Sequence, residues 1–387
     1  MVAELAGSGR GERLAHLRGQ TSELVSAVEA LVAAESPSTD HVLLEACAAL
    51  ISRLGADALG APAQVVRVDG QPHLEWRFGS RTRVALIGHY DTVWPAGTTA
   101  SRPFALLGDR MTGPGCFDMK GGIVQLFAAL ATLESLEGVS VLLTSDEELG
   151  SPTSRRLVED VAAGAGAALL LEPAGAGGSL KVSRKGTGMY TLAVSGRASH
   201  AGLEPEKGAN ALVAAAHLVL ALEQIARPEL GTTVTATMAS AGSASNVVPA
   251  AATVEVDVRV LDPAEAPRVD AAIRALDPAG AVAGTSLVVH GGPNRPPMPA
   301  SASAELFERA AACAQRLGLA ALEGVAVGGG SDGNFTAAVG TPTLDGLGAV
   351  GDGAHAVDEY ALVSAMPERA ALLAELVTDL LREGSRN

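Results

Sequence analysis

Seven side chains fall where buried runs of this chain end, and each belongs to a type that binds metal or moves protons: His89, Asp91, Asp118, Glu147, Glu148, Glu172 and His355. Two imidazoles with a surplus of carboxylates and no cysteine make a nitrogen and oxygen donor set that zinc accepts. A catalytic zinc site keeps one position open for water. Two metals about 3.5–4 Å apart need a bridging carboxylate and activate a shared hydroxide.

His89 and Asp91 are two apart on extended chain, so both side chains point the same way. Asp91 can then hold the far nitrogen of His89 and fix its tautomer, or do so for another ligand. Glu147 and Glu148 are adjacent and cannot both face one metal from a regular strand. One is expected to bind metal while the other lies over the water as the general base of an amide hydrolysis. Taken singly, each piece has an ordinary explanation. The histidine could be a bonded loop residue, the paired glutamates a solvated face or an acidic first turn, and Asp118 a helix cap. Their joint occurrence at the ends of predicted strands shifts the reading to a metal site.

The elements that must position these groups follow from the pattern of apolar residues. Helical periodicity runs over 22–54, with Leu24, Val25, Val28, Leu31 and Val32 on one face. Residues 83–88, 139–145 and 167–171 are short, apolar and β-rich, and each runs into a polar cluster. A glycine-dense stretch around Asp118 precedes a strong amphipathic helix. Strands alternating with helices imply an α/β fold with an open sheet, whose ligand lies beyond the carboxyl ends of the strands. From about Lys185 the style changes to alternating strands and two helices in the order βαββαβ, the split form of a small ferredoxin-like α+β sandwich. After residue 295 the α/β style resumes. The division expected is a catalytic part of residues 1–184 and 296–387 with residues 185–295 inserted.

With 387 residues, two domains are the natural expectation. Acids outnumber bases by 43 to 28, a formal net charge of −15, which argues against nucleic acid or an anionic membrane as partner. Cys47, Cys116 and Cys313 are odd in number and scattered, so they form neither a disulfide framework nor a paired metal knuckle. The longest apolar stretches, 161–171 and 211–222, are too short to span a bilayer. The N-terminus lacks the basic-then-apolar run of a signal peptide, so the expected location is cytoplasmic.

Seen together and in order, the segments GHYDTVWPAGT, RPF, GPGCFDMKGG, TSDEELGS, EPAG, GRASHAGLEPEKGANA, NVVPAAATVEVDVRV, GGGSDGNF and GDGAHAVDEY resemble a known family. It is the di-zinc metallopeptidase family of glutamate carboxypeptidase, aminoacylase, acetylornithine deacetylase and succinyl-diaminopimelate desuccinylase. The resemblance runs over nearly the whole chain and is strongest to the glutamate-carboxypeptidase-like branch. It implies an open mixed sheet flanked by helices, with the inserted ferredoxin-like domain serving as lid and dimerisation domain.

The resemblance also implies roles. His89 and Glu172 would bind one zinc, Glu148 and His355 the second, and Asp118 would bridge both through a segment with a cis bond to Met119. Cobalt and manganese suit the same ligands. Asp91 would be the supporting carboxylate and Glu147 the general base and acid. His200 looks like the lid histidine that reaches the partner subunit's site and stabilises the oxyanion. Asn246 and Arg259 look like the lid residues that hold a substrate carboxylate, while Gly330 and its neighbouring glycines can offer backbone N–H groups to an anion. Glutamate at 172 fits the carboxypeptidase and deacylase branches. The expected reaction is hydrolysis of a peptide amide that releases a C-terminal amino acid. The rivals are an N-acyl-amino-acid deacylase acting on N-acetyl or N-succinyl substrates, and a catalytically silent binding relative.

Overall fold

In the computed structural model, which describes residues 10–383, Val84–His89 runs through the middle of a six-stranded mixed sheet. Across the sheet the order is Gln64–Val68, Gln71–Phe78, Val139–Thr144, Val84–His89, Ala167–Leu170 and Thr343–Leu344. The last four strands are parallel and the first two form an antiparallel edge. Residues 1–9, on which the expectation of no signal peptide rests, lie outside the described residues.

Both faces of the central strand are covered, and successive residues enter different cores. Val84 and Leu86 pack with Trp76, Ile123 and Leu126, whereas Ala85 and Ile87 join Val158, Val161 and Phe335. A strand covered twice has no polar face, which is why residues 83–88 read as a continuous apolar run.

The periodic stretch over 22–54 is two helices, Thr21–Ala33 and His41–Leu59. Pro37 cannot donate to a helical ladder and its ring crowds the preceding turn. Asp40 then starts the second helix by accepting the N–H groups of Val42 and Leu43, both at 3.1 Å. The break has a further use. Ser36 and Ser38 within it donate to the Tyr90 carbonyl at 2.6 Å and the Asp91 carboxylate at 2.7 Å.

Arg184–Pro297, with Gly328–Gly330, forms a unit of its own; the other unit runs to Ser183 and includes Met298–Val327 and the chain from Ser331. The second unit holds an antiparallel sheet ordered Thr233–Ala241, Ala251–Val260, Gly186–Ser195, Ser286–Arg295. Leu192, Val254, Val256 and Val258 from that sheet pack with Leu218 and Leu222 of helix Ala211–Glu223 and Val269 and Ile273 of helix Glu265–Arg274. One covered face explains the strict alternation of VEVDVRV. The βαββαβ order is that of a ferredoxin-like sandwich.

Candidate active site

Three neighbouring parallel strands deliver five of the seven residues, His89 and Asp91 from the end of the strand Val84–His89. His89 ends its strand in register with Thr144, so the turn carrying Glu147 and Glu148 begins beside it. Glu172 follows Ala167–Leu170 on the other side. Asp118 and His355 arrive differently from the strand-end expectation. Asp118 sits in the turn Cys116–Lys120 ahead of helix Gly121–Ala131, and its bond to Met119 is cis. His355 lies beyond the short strand Gly351–Asp352, at a φ of 63°. Strand ends approach a cluster from one side, and loops are needed to close the other.

Asp118 lies between the two histidines with one oxygen toward each. Its Oδ1 is 3.2 Å from His89 Nε2 and its Oδ2 is 3.4 Å from His355 Nε2. Glu172 Oε1 is 3.6 Å from His89 Nε2, and the Glu148 carboxylate is 3.1 Å from His355 Nε2. The donors therefore fall into two imidazole–carboxylate pairs that share Asp118. Ligand atoms of His89, Asp118 and Glu148 lie within 4.8 Å of one another. This nitrogen and oxygen set suits a divalent cation.

Asp91 supports more than the histidine. The His89 Nδ1 lies 3.1 Å from the Asp91 carbonyl and 3.4 Å from its carboxylate. The same buried carboxylate accepts the backbone N–H groups of Glu147 and Glu148, both at 3.2 Å. Asp91 thus ties the first histidine to the glutamate turn. Glu147 is buried in that turn at 8 % exposure. Adjacent residues on a tight turn diverge, so Glu148 can meet His355 while Glu147 faces elsewhere.

Sequence reasoning missed Asp332 and Glu359. Asp332 accepts the hydroxyls of Ser151 at 2.5 Å and Thr144 at 3.3 Å, pinning the chain on both sides of the glutamate turn. Glu359 accepts backbone N–H groups around Asp118. Both stand in segments quoted above, SDGNF and VDEY, where an acid among polar neighbours gives no periodic signal.

The carboxylates also load the histidines with protons. Hydrogen bonds donated to Asp118 and then to Glu148 push the His355 pKa up to about 10. For His89, burial opposes charge, but the Asp118 and Asp91 carboxylates outweigh it and raise the pKa well above the ordinary range. Burial would raise the Asp118 carboxyl, yet the two histidines hold it well below. A cation must displace these protons, so its apparent affinity is expected to rise as pH increases from 6 toward about 10, the value for His355. Calorimetry of metal uptake in buffers of different ionisation enthalpy checks this; a heat independent of buffer would contradict it.

His200, Asn246, Arg259 and Gly330 belong to the second unit. His200 Nδ1 accepts the N–H groups of Gly202 and Leu203, both at 3.1 Å. In the neutral ring the proton is then on Nε2, an available donor. The Asn246 carbonyl accepts from Ala201 N at 2.9 Å, which keeps Asn246 beside His200. Arg259 grips Asp257 in a fork with bonds of 2.9 and 2.8 Å. Its Nη1 lies 3.5 Å from the Gly328 carbonyl, and Arg184 donates to the carbonyls of Gly329 and Gly330 at 3.0 and 3.4 Å.

Residues 85–379 match the family described as peptidase family M20/M25/M40. The chain is 35 % identical over 308 residues to carboxypeptidase G2 of Pseudomonas sp. (strain RS-16), covering 76 % of this chain and 73 % of that protein. It is 29 % identical over 360 residues to succinyl-diaminopimelate desuccinylase of Acidiphilium cryptum, covering 84 % and 91 %. Among solved structures, the M20 family metallo-carboxypeptidase Sso-CP2 of Sulfolobus solfataricus superposes with a TM-score of 0.76 at 16 % identity, over 92 % of this chain and 98 % of that one.

Proposed function

Since this chain belongs to peptidase family M20/M25/M40, we infer that it is a metal-dependent hydrolase of amide bonds that releases a C-terminal amino acid. The observation that carries the reading is Asp118 shared between two imidazole–carboxylate pairs, with Glu147 in the turn that supplies one of them. His89 and Glu172 would hold one ion, His355 and Glu148 the other, and Asp118 would reach both. Zinc at these ligands, with cobalt or manganese as substitutes, supplies a Lewis acid for the carbonyl and lowers the pKa of water.

Glu147 takes the proton of the attacking water and returns it to the leaving nitrogen. Asp91 keeps His89 in one tautomer and holds the Glu147 backbone in place. The Nε2–H of His200 donates to the oxygen that becomes negative as the carbonyl is attacked. Asn246, Arg259 and the Gly330 N–H receive the substrate carboxylate, Arg259 through the part of its guanidinium that Asp257 leaves over.

The protein acts as a homodimer joined through the inserted unit, with the His200 of each copy serving the other's site. Leu212, Val213 and Leu220 stand exposed on helix Ala211–Glu223, and Thr233–Ala241 is a sheet edge, both suited to a second copy. Its proposed location is the cytoplasm, which suits the buried free thiols Cys47, Cys116 and Cys313. Among the described residues no helix is long and apolar enough to cross a membrane. His200→Ala is expected to lower kcat by about 10²–10³-fold, the usual cost of one oxyanion donor, with the circular dichroism unchanged. An unaltered kcat would remove the lid from the mechanism.

A second reading, an N-acyl-amino-acid deacylase, is favoured by the likeness to the desuccinylase. It uses the same ligands and base and differs in the acyl pocket. The deciding experiment is release of free amino acid by zinc-loaded protein from dipeptides ending in glutamate and from N-acetyl and N-succinyl amino acids, with a chelator control. Faster release from the peptides supports the carboxypeptidase, and faster release from the acyl compounds the deacylase. No release from any substrate, with both ions bound, would overturn both.

A further inference from the structure

We propose that Glu359 is the positioning residue of the centre, setting the Asp118 loop against the His355 turn without touching a metal; this rests on the metal reading above. Its side chain is buried at 1 % exposure and both carboxylate oxygens are used. Oε1 accepts the backbone N–H groups of Phe117 at 3.0 Å and Asp118 at 3.1 Å. Oε2 accepts the N–H of Gly115 at 3.0 Å and the indole N–H of Trp94 at 3.2 Å. Four donors thus converge on one carboxylate, three of them from the backbone that presents Asp118.

The loop is shaped for this arrangement. Gly115 has a φ of 73°, and a Cβ there would come within 2.7 Å of the Thr92 Cγ2. The Trp94 ring is fixed in turn by the Arg102 guanidinium, 4.2 Å from its centroid. On the other side the Glu359 N–H donates to the Ala356 carbonyl at 3.1 Å, and the Ala356 N–H to Gly353 at 2.8 Å. That folded turn contains His355. Tyr360 then pairs with Thr112 and Asp352, closing the strands around it.

Glu359 therefore meets Asp118 through one backbone bond and His355 through a short turn. Asp118 and His355 must stay about one ligand separation apart, and they lie far from each other along the chain. The carboxylate is a buried link between the two segments that carry them. It also gives a role to Trp94, Arg102 and Gly115, which the metal ligands alone leave without one. A neutral side chain cannot accept four donors, since an amide turns one of its ends into a donor facing N–H groups.

The test uses the full chain, stripped of metal and titrated with cobalt(II), for the wild type, Glu359→Gln and Glu359→Asp. Bound metal is counted, and the visible cobalt absorption and thermal melting are recorded. Glu359→Gln is expected to bind cobalt about 10- to 100-fold more weakly, the usual cost of losing a partner behind the ligands, with an altered cobalt spectrum. Glu359→Asp, which keeps the charge, is expected to recover part of both. Wild-type cobalt affinity and spectrum in the variants, with only a lower melting temperature, would reduce Glu359 to a stabilising residue and overturn the proposal. Should the glutamine variant fail to fold, an aspartate variant with a wild-type cobalt spectrum would overturn it equally. A wild type that takes up no cobalt would instead overturn the metal reading, and this proposal with it.

Discussion

Glu147→Gln is expected to lower kcat by about 10²–10⁴-fold, the span that a positioned acid–base group contributes, while leaving two metal ions bound. The substitution is nearly isosteric and the residue is buried, so the turn has no reason to move. Its backbone N–H still donates to Asp91, and the His355 contact belongs to Glu148. What is lost is the carboxylate proposed to accept a proton from water and return it to nitrogen. Metal analysis beside steady-state kinetics checks this. Activity within a few-fold of wild type would move the base elsewhere, and loss of metal along with activity would make Glu147 a ligand.

Asp118→Asn should act on both halves of the centre at once. It removes a carboxylate that faces both histidines, at 3.2 and 3.4 Å. Metal affinity is expected to fall by more than the roughly 10–100-fold that follows loss of a partner behind the ligands, and activity should fall below detection. The metal-free variant offers an independent reading. Asp118 is the leading cause of the His355 pKa near 10, so its neutralisation should bring that value down toward the ordinary 6.5. NMR titration of the imidazole would show the change. Two ions bound with wild-type affinity, or an unmoved His355 titration, would show that Asp118 does not couple the two histidines.

Much of the positioning frame was legible because burial on both faces leaves a plain mark. Residues 83–88, 139–145 and 167–171 had to be strands, and the polar residues beyond their C-terminal ends were the candidate site. The alternation of VEVDVRV marked a strand with one covered face in the same way. The helix break at Pro37 was equally written in the chain, but strong periodicity on either side hid it. Asp91 was read as a partner of His89, whereas its carboxylate also carries the backbone of the glutamate turn. No local pattern encodes that bond, because the residues it joins are remote in sequence.

The chain by itself determined which chemistry was available: two imidazoles, a set of carboxylates and no thiol among them, most of them placed just beyond a strand that must be buried. Periodicity and residue type are local properties, and burial writes them along the chain. Tertiary structure alone decided the pairing, with Asp118 between His89 and His355 and Glu359 beneath the loop that carries it. Those relations depend on where separate loops meet, and hydrogen bonds between distant segments leave no period in a sequence.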